Sequence, residues 1–378
     1  MPTAAPIGDY KASAKQKFAV VKQNISSFGY WKLGNALDTM IDYFVHVDKS
    51  DADDVAQAVI DECNGIMNGW PADWPWTWFD DLGWWVIATN RAAATQSPFS
   101  GGIRNQFAAL STKCWSVFTE NAPYTWDRRE YDTFNQCRPL ISGGVWNSYW
   151  KGTSTDYLGF KTADPTAGKT LEGIQNTVTN ALYLISAQRT GNTAAAERQY
   201  HFLSSWLFQK SHPALWWPQN GKGALVRERV SVFADGKPTK GFQEKWAWTG
   251  DLGLILGAFI DRIAKGVDPA NALTCAKALL TGARLCLVDR SGVLKPSTDP
   301  GSTPDHDIVD YATGPGVFWR YLLQAWKLEN SDVHAFLASE DYKKFVRTNA
   351  DAAMAQTADP DVANNQLAAL VTGIAMLA

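Results

Sequence analysis

Apolar residues recur at intervals of three and four along nearly the whole sequence from Tyr10 onward, a spacing that places them on one face of an α-helix. Acidic residues such as Asp51, Asp53 and Asp54 stand where helix starts favour negative charge. The predicted helices span residues 10–25, 30–47, 51–68, 79–95, 103–119, 171–189, 193–209, 243–264, 269–287, 308–327, 332–355 and 361–378. The spacing therefore predicts an all-α fold.

The order of these helices favours a closed ring. Segments rich in small and aromatic residues alternate with more charged segments, as an inner and an outer layer of helices would require. No stretch separates a second core, so we expect one domain over residues 1–378. We predict a single (α/α)6 toroid; a superhelical solenoid is the weaker alternative, because no sequence is copied at a fixed period.

Three stretches interrupt the helical pattern, and in a toroid they can meet at one end around a central cleft. They are the Trp-rich loop 70–78, the turn SGGVWN at 142–147 and the long irregular region 211–241. The last contains one expected short β-hairpin, with Asp235-Gly236 at its turn.

The overall charge and composition exclude several classes of partner. A formal net charge of -3 and the lack of a basic run give no reason to expect nucleic acid or an anionic membrane. The five cysteines show no metal-binding spacing, and we predict neither a metal nor a cofactor. The oligomeric state stays open.

The two ends of the sequence bear on its location. The opening lacks an apolar leader, which favours a cytoplasmic protein over a mature secreted form. The apolar segment QLAALVTGIAMLA is, at 13 residues, too short to span a bilayer and is interpreted as a core helix.

Two adjacent carboxylates, Asp80 and Asp81, stand inside the densest block of tryptophans. Six of the 18 Trp fall between Trp70 and Trp85, and the acids follow a Pro-rich loop in the first turn of a helix. Charged groups among indoles must be solvated, paired or chemically active. Indoles stack on sugars and paired carboxylates cleave glycosidic bonds, so the block predicts a sugar-cleaving site. Helix capping is the alternative, although Gly83 beside the acids favours close substrate approach.

Neighbouring first-turn residues could place their carboxyl groups about 5–5.5 Å apart, the separation that suits a retaining glycosidase. In that mechanism one carboxylate attacks the anomeric carbon, and the other protonates the departing oxygen and later activates water. The two groups then need different environments, because one must stay ionised and the other must keep its proton.

The stretch FDDLGWWVIA resembles the Asp-Asp-x-x-Trp-Trp signature of glycoside hydrolase family 76, the endo-α-1,6-mannanases. Similar stretches follow in the family's order: GGVWN, NTVTNALYLISA, WTGDLGLILGAF, GPGVFWRYL and NNQLAAL. The resemblance covers the chain from about residue 70. It implies an (α/α)6 barrel, action with retention and an α-1,6-linked mannan as substrate.

The resemblance also implies roles for individual residues. Asp80 would be the nucleophile and Asp81 the general acid/base. Candidate substrate-binding residues are Trp78, Trp84, Trp146, Asn147, Asn176, Asn180, Trp248 and Asp251. Asn176 and Asn180 lie four apart on one helix face and could bind sugar hydroxyls, or equally could form an amide network between helices. Arg320 also matches a motif, but it is better interpreted as an interhelical ion-pair residue.

Some positions depart from the family pattern. Asp251-Leu252 replaces the usual Asn-Gln, Pro315 replaces a Lys, and no second Trp follows Trp146. We therefore expect the catalytic pair to be kept and the substrate pocket to be altered. Asp251 adds a third carboxylate that could orient a hydroxyl or raise the pKa of the acid.

Other features have two interpretations each. The segment DHDIVD at 305–310 could bind a metal, but it precedes a helix, where Asp is common. Trp216 and Trp217 could form a sugar platform or a hydrophobic plug under the long loop.

For the whole chain, two alternatives to an α-mannanase stay open. One is a related enzyme that acts on another glycan or a small molecule, including a transglycosylase, and the other is a non-catalytic carbohydrate-binding protein.

Overall fold

The computed structural model describes residues 5–68, 76–121, 137–138, 144–145, 148–150, 162–164, 169–171, 176–208, 214–228, 232–233, 246–298, 310–329 and 331–378. Thirteen α-helices lie within these residues. They are α1 Ile7–Gln23, α2 Tyr30–His46, α3 Ala52–Asn68, α4 Phe79–Ala94, α5 Gly101–Asn121, α6 Thr177–Arg189, α7 Thr193–Phe208, α8 Thr249–Ala264, α9 Pro269–Cys286, α10 Gly314–Trp326, α11 Asp332–Leu337, α12 Glu340–Ala353 and α13 Pro360–Leu377. In this part of the chain, no helix has the length and apolarity needed to cross a bilayer.

The predicted toroid is confirmed by the order of helix contacts. Six helices form a closed inner ring, in which α2 packs on α4, α4 on α6, α6 on α8, α8 on α10, α10 on α13 and α13 again on α2. An outer helix packs against each inner one: α1 and α12 on α13, α5 on α4, α7 on α6, α9 on α8 and the short α11 on α10, while α3 contacts α2 and α5. Burial follows this division. Nearly all of α8 is buried, whereas α12 buries a single stripe spaced by three and four.

Three predicted helices differ clearly from those observed. The helix predicted over 243–264 begins at Thr249, because Trp248 is extended. The segment 332–355 forms two helices, because the chain turns at residues 338–339 before α12 begins. The helix predicted from residue 171 starts at Thr177, since 169–171 form a strand and Asn176 caps the helix. The late starts lie at helix ends, where periodicity carries the least information, whereas the break at 338–339 lies inside a predicted helix.

The described residues contain eight short strands, more than the two strands of the single hairpin that the sequence predicts. They are β1 Trp76–Trp78, β2 Cys137–Arg138, β3 Ser148–Trp150, β4 Thr162–Asp164, β5 Lys169–Leu171, β6 Trp216–Pro218, β7 Ala224–Val226 and β8 Val232–Phe233. An antiparallel sheet has the order β1-β3-β5-β4, and β2 pairs with β8. Strand β1 runs directly into α4, so this sheet sets the position of the first turn of that helix.

The observed hairpin joins β6 to β7 and lies earlier than predicted. Its turn contains Asn220 and Gly221, with φ of 48° and 82°, the left-handed conformation that an Asn-Gly pair adopts readily. The predicted turn at Asp235-Gly236 lies outside the described residues. The hairpin at Asp235-Gly236 therefore stays a prediction.

A buried ionic network joins the inner helices toward their C-terminal halves. Arg320 of α10 donates through Nε to Asp38 of α2 at 3.0 Å and through Nη1 to Thr39 at 3.0 Å, and its Nη2 contacts Asn35. Arg91 of α4 pairs with the same Asp38 at 2.7 Å. The predicted role of Arg320 as an interhelical ion-pair residue is confirmed.

Gly83 has a packing role that the sequence analysis did not assign. A Cβ atom at this position would lie 2.7 Å from Cβ of Leu182 on α6 and 3.2 Å from a ring carbon of Phe118. The glycine therefore allows α4 and α6 to approach closely, and the close contact is with a neighbouring helix.

Replacing Gly83 with Ala should lower the free energy of unfolding by about 1–3 kcal/mol, because the added methyl group overpacks the interface between α4 and α6. Urea denaturation measures the effect. Gly65→Ala is the matched control: Gly65 is also helical, but nothing lies within 4 Å of an added Cβ. That variant should be as stable as the wild type or slightly more stable. Equal stability of both variants would contradict the packing role of Gly83.

Candidate active site

Asp80 and Asp81 occupy the first turn of α4, at the end of the toroid where the inner helices begin. Trp78 precedes the helix in an extended conformation, and no side chain caps the N-terminus of α4. Each aspartate keeps part of its surface exposed. Oδ1 of Asp80 is nevertheless buried and accepts no hydrogen bond from the described residues. The Asp80 carboxyl group also interacts with the backbone N–H groups of Asp80 and Asp81, as an acid in a first helical turn does.

Burial and negative neighbours raise the pKa of both carboxyl groups. Burial raises the pKa of Asp80 to about 7, with further contributions from the charges of Asp310 and Glu228; the backbone N–H groups at the helix start oppose this shift. Burial raises the pKa of Asp81 well above its usual range, and the charges of Asp80 and Asp310 raise it further. The pKa of each carboxyl group is thus raised, and the two groups titrate as a pair.

Such a pair can hold one carboxylate and one carboxylic acid near neutral pH. Two interacting acids lose their protons in two steps that belong to the pair, and the first loss makes the second harder. The geometry therefore supplies a nucleophile or base next to a proton donor. This is the division of roles that cleavage of a glycosidic bond requires.

The first turn of α2, residues Tyr30, Trp31 and Lys32, lies beside the acid pair. Burial raises the pKa of the Tyr30 hydroxyl, and the charges of Cys114 and Asp81 add to the shift. Nζ of Lys32 lies 2.7 Å from Asp361 and 3.7 Å from Asp310, and so links α2 to the segments that open α10 and α13. These residues were not predicted as part of the site, although two aromatic residues followed by a lysine at the start of a helix are visible in the sequence.

Two of the predicted sugar-binding tryptophans are core residues. Trp84 is 2% exposed and is covered by Trp31, and Trp248 is 4% exposed. The Trp248 indole donates through Nε1 to the carbonyl of Tyr311 at 2.9 Å, which fixes the start of α8 against the segment before α10. Both indoles are buried among the described residues, and their contact with a sugar stays a prediction. Trp78 is half-buried just before the acids and stays a candidate.

The two predicted amides have structural hydrogen bonds. Asn176 caps α6 by accepting from the backbone N–H of Thr179 at 3.1 Å. Asn180 is fully buried and holds the backbone of Val145: its Oδ1 accepts from Val145 N at 2.9 Å, and its Nδ2 donates to Val145 O at 3.1 Å. Gln199 donates to the same Oδ1 at 2.8 Å. The amide network is thus the observed arrangement.

Other predicted residues have mixed outcomes. Asp251 is fully buried in the first turn of α8, and its contact with a sugar stays a prediction. Trp146 and Asn147 lie outside the described residues, as does most of the segment 305–310. Trp217 is half-buried under the guanidinium of Arg227, at 5.1 Å from its carbon to the ring centroid. No group of three or more His, Cys, Asp or Glu among the described residues could hold a metal ion.

Comparison with solved structures identifies the fold. No protein-family profile and no curated protein sequence matches the chain. An inactive variant of the α-1,6-mannanase GH76A of Salegentibacter sp. HEL1_6, solved with α-1,6-mannotriose, matches with a TM-score of 0.64 at 16% identity, covering 98% of this chain and 100% of the other. The chain has the fold of the family 76 glycoside hydrolases.

Two other solved structures match over nearly the whole chain, one from family 76 and one with a different activity in its name. A family 76 α-mannanase of Bacteroides thetaiotaomicron gives a TM-score of 0.57 at 12% identity, with 97% and 95% of the two chains covered. An unsaturated glucuronyl hydrolase from a streptococcus, at TM-score 0.54 and 11% identity over 98% and 92% of the chains, also matches. The same toroid therefore carries enzymes with different names and substrates, and the site itself must decide the function.

Proposed function

We propose that this protein is a retaining glycoside hydrolase that cleaves α-mannosidic, α-1,6-linked glycans. The observation that carries the proposal is the adjacent pair Asp80 and Asp81, half-exposed and with raised pKa values, at the mouth of a family 76 toroid. A supporting fact is that the inactive mannanase variant described above has two consecutive aspartates replaced by asparagine.

The roles are those that the family resemblance implies, and the raised pKa values of both acids support a pair that shares a proton near neutral pH. Asp80 attacks the anomeric carbon while Asp81 gives its proton to the departing glycosidic oxygen. The bond from the sugar to that oxygen breaks as an ester to Asp80 forms. Asp81, now a carboxylate, takes a proton from water, whose oxygen attacks the anomeric carbon and releases Asp80. Two displacements at one carbon restore its original configuration.

The decisive test is incubation of the purified protein with α-1,6-mannan oligosaccharides, with products followed by mass spectrometry and the anomeric configuration of the new end by NMR. We expect shorter oligosaccharides whose new reducing end is first released as the α-anomer. A β-1,4-mannan serves as the control glycan and should stay intact. Folded protein that leaves every α-mannan intact would show that the mannanase proposal is wrong, and first release of the β-anomer would disprove retention.

The rate of cleavage should depend on pH as a bell-shaped curve. It should rise as the pH increases through about 7, because Asp80 must lose its proton to attack, and should fall at higher pH, where Asp81 loses its own. In Asp310→Asn, the rising limb should move to lower pH, since a negative charge that favours the protonated form is removed. A rate that is already maximal near pH 4, about the ordinary pKa of a carboxyl group, would contradict this assignment.

A family 76-like enzyme on another glycan is the second candidate. It is favoured by the replacement of the family's Asn-Gln by Asp251-Leu252 in the first turn of α8, and by the low identity to the mannanases. A screen of α-linked gluco-, galacto- and mannooligosaccharides, including acceptor sugars to detect transfer, distinguishes this enzyme from the mannanase. Sugar binding without any turnover would instead favour a carbohydrate-binding protein.

A further inference from the structure

One face of α2 points into the toroid. Trp31, Asn35 and Asp38 are spaced by four and three residues and so share this face. Asn35 and Asp38 both meet Arg320 of α10, an inner helix that is not the next neighbour of α2 in the ring. Trp31 is the member of the face nearest the start of the helix, and thus the nearest to the acid pair.

The inward face of α4 has the same order of features. Asp80, Trp84 and Arg91 are spaced by four and seven residues, and Arg91 reaches Asp38 within the ionic network. The indoles of Trp84 and Trp31 stack, with ring centroids 5.8 Å apart and planes 29° apart. Along α2 and α4, the ionic network therefore lies deepest, the two stacked indoles lie above it, and the acid pair lies at the start of α4.

The two indoles differ in exposure. Trp84 is buried at 2% exposure, whereas Trp31 keeps part of its surface accessible. Gly34 allows this arrangement, because a Cβ there would lie only 3.3 Å from the backbone carbon of Trp84. The close approach of α2 to α4 holds the Trp31 ring against Trp84, so the ring is already fixed in place and loses little freedom when a ligand binds.

We propose that Trp31 is a sugar-binding platform on the floor of the cleft, below the acid pair, for a neutral pyranoside next to the bond that is cleaved. The inference rests on the proposed function. The apolar face of a pyranoside suits an indole, and the ring of Trp31 is supported from behind by Trp84. Nζ of Lys32 lies over the Trp31 ring, 5.7 Å from its centre, and can donate to a hydroxyl of a sugar that stacks there.

The test compares the steady-state kinetics of Trp31→Ala, Trp31→Phe and the wild type on α-1,6-mannooligosaccharides. KM should rise about 2- to 12-fold in Trp31→Ala, the range expected for one aromatic contact, with a smaller change in kcat. Trp31→Phe should restore part of the affinity. The matched control is Trp326→Ala: Trp326 is also half-buried and stacked, on His334 at 3.9 Å, but it ends α10 at the opposite end of the toroid.

Loss of the stacked pair could weaken folding, so thermal unfolding with and without α-1,6-mannotriose accompanies the kinetics. The trisaccharide should raise the Tm of the wild type and of Trp326→Ala more than that of Trp31→Ala. If folded Trp31→Ala keeps the wild-type KM and the full shift in Tm, the platform is wrong while the mannanase proposal stands. If the wild type neither cleaves nor binds these sugars, both proposals are wrong.

Discussion

The Asp81→Asn variant should fold like the wild type and cleave its glycan about 10²- to 10⁴-fold more slowly, because an amide cannot protonate the departing oxygen. Hydrolysis assays on α-1,6-mannan oligosaccharides measure the loss. Asp54→Asn is the matched control: Asp54 is also a first-turn acid, but it lies exposed on the outer helix α3. Wild-type rates in Asp81→Asn, or an equal loss in Asp54→Asn, would show that Asp81 is not the acid.

The same variant should be more stable than the wild type at alkaline pH. The folded-state pKa of Asp81 is raised, so the folded protein binds more protons than the unfolded chain above about pH 4. Stability from this group is therefore present at low pH and is lost as the pH rises through its folded pKa. An amide has no such loss, so the difference in unfolding free energy between the variant and the wild type should increase with pH.

Azide can separate the roles of the two acids. With an aryl α-mannooligosaccharide that needs little proton donation, azide should replace the missing carboxylate of Asp80→Ala and give a β-glycosyl azide. In Asp81→Ala, azide should instead attack the ester on Asp80 from the other face and give an α-glycosyl azide. The opposite pair of products would reverse the assigned roles.

The second large effect is expected from Asp38→Asn, which should lower the free energy of unfolding by about 3–5 kcal/mol. Arg320 is 1% exposed, and Asp38 is the carboxylate that pairs with it at 3.0 Å, so the substitution leaves a buried cation without its counter-charge. Arg91 is affected less, because it also pairs with Asp42. Urea or thermal denaturation measures the loss.

A surface pair provides the comparison for Asp38. Asp48 accepts from Lys15 at 2.7 Å, with side chains 30% and 55% exposed, and Asp48→Asn should change the unfolding free energy by less than about 1 kcal/mol. If Asp38→Asn changed the free energy of unfolding as little as Asp48→Asn, the ionic network would not stabilise the fold through charge pairing. Measuring Asp38→Asn above pH 5, where both carboxylates of the wild type are ionised, keeps the comparison free of protonation effects.

The helices and their closure were predictable because each inner helix repeats an apolar spacing and the acid pair stands at a helix start. Three-residue strands are too short to show a period, so β1 and its partners were missed. Asn180 holds Val145, 35 residues earlier in the chain, and no local pattern reveals such a partner. Trp84 faces inward, as the spacing from Asp80 requires, but sequence cannot show that Trp31 covers it.

The contact of α13 with α2 ties the site to the last helix of the ring. Lys32, beside the acid pair, is held by Asp361 of α13, and α1 also packs on that helix. The turn of α2 that holds Trp31 packs directly on α4, whereas the 18-residue α13 closes the ring and supplies the partner of Lys32. A chain interrupted before α13 would carry both aspartates but lack the closed ring and the partner of Lys32, so we expect it to be inactive.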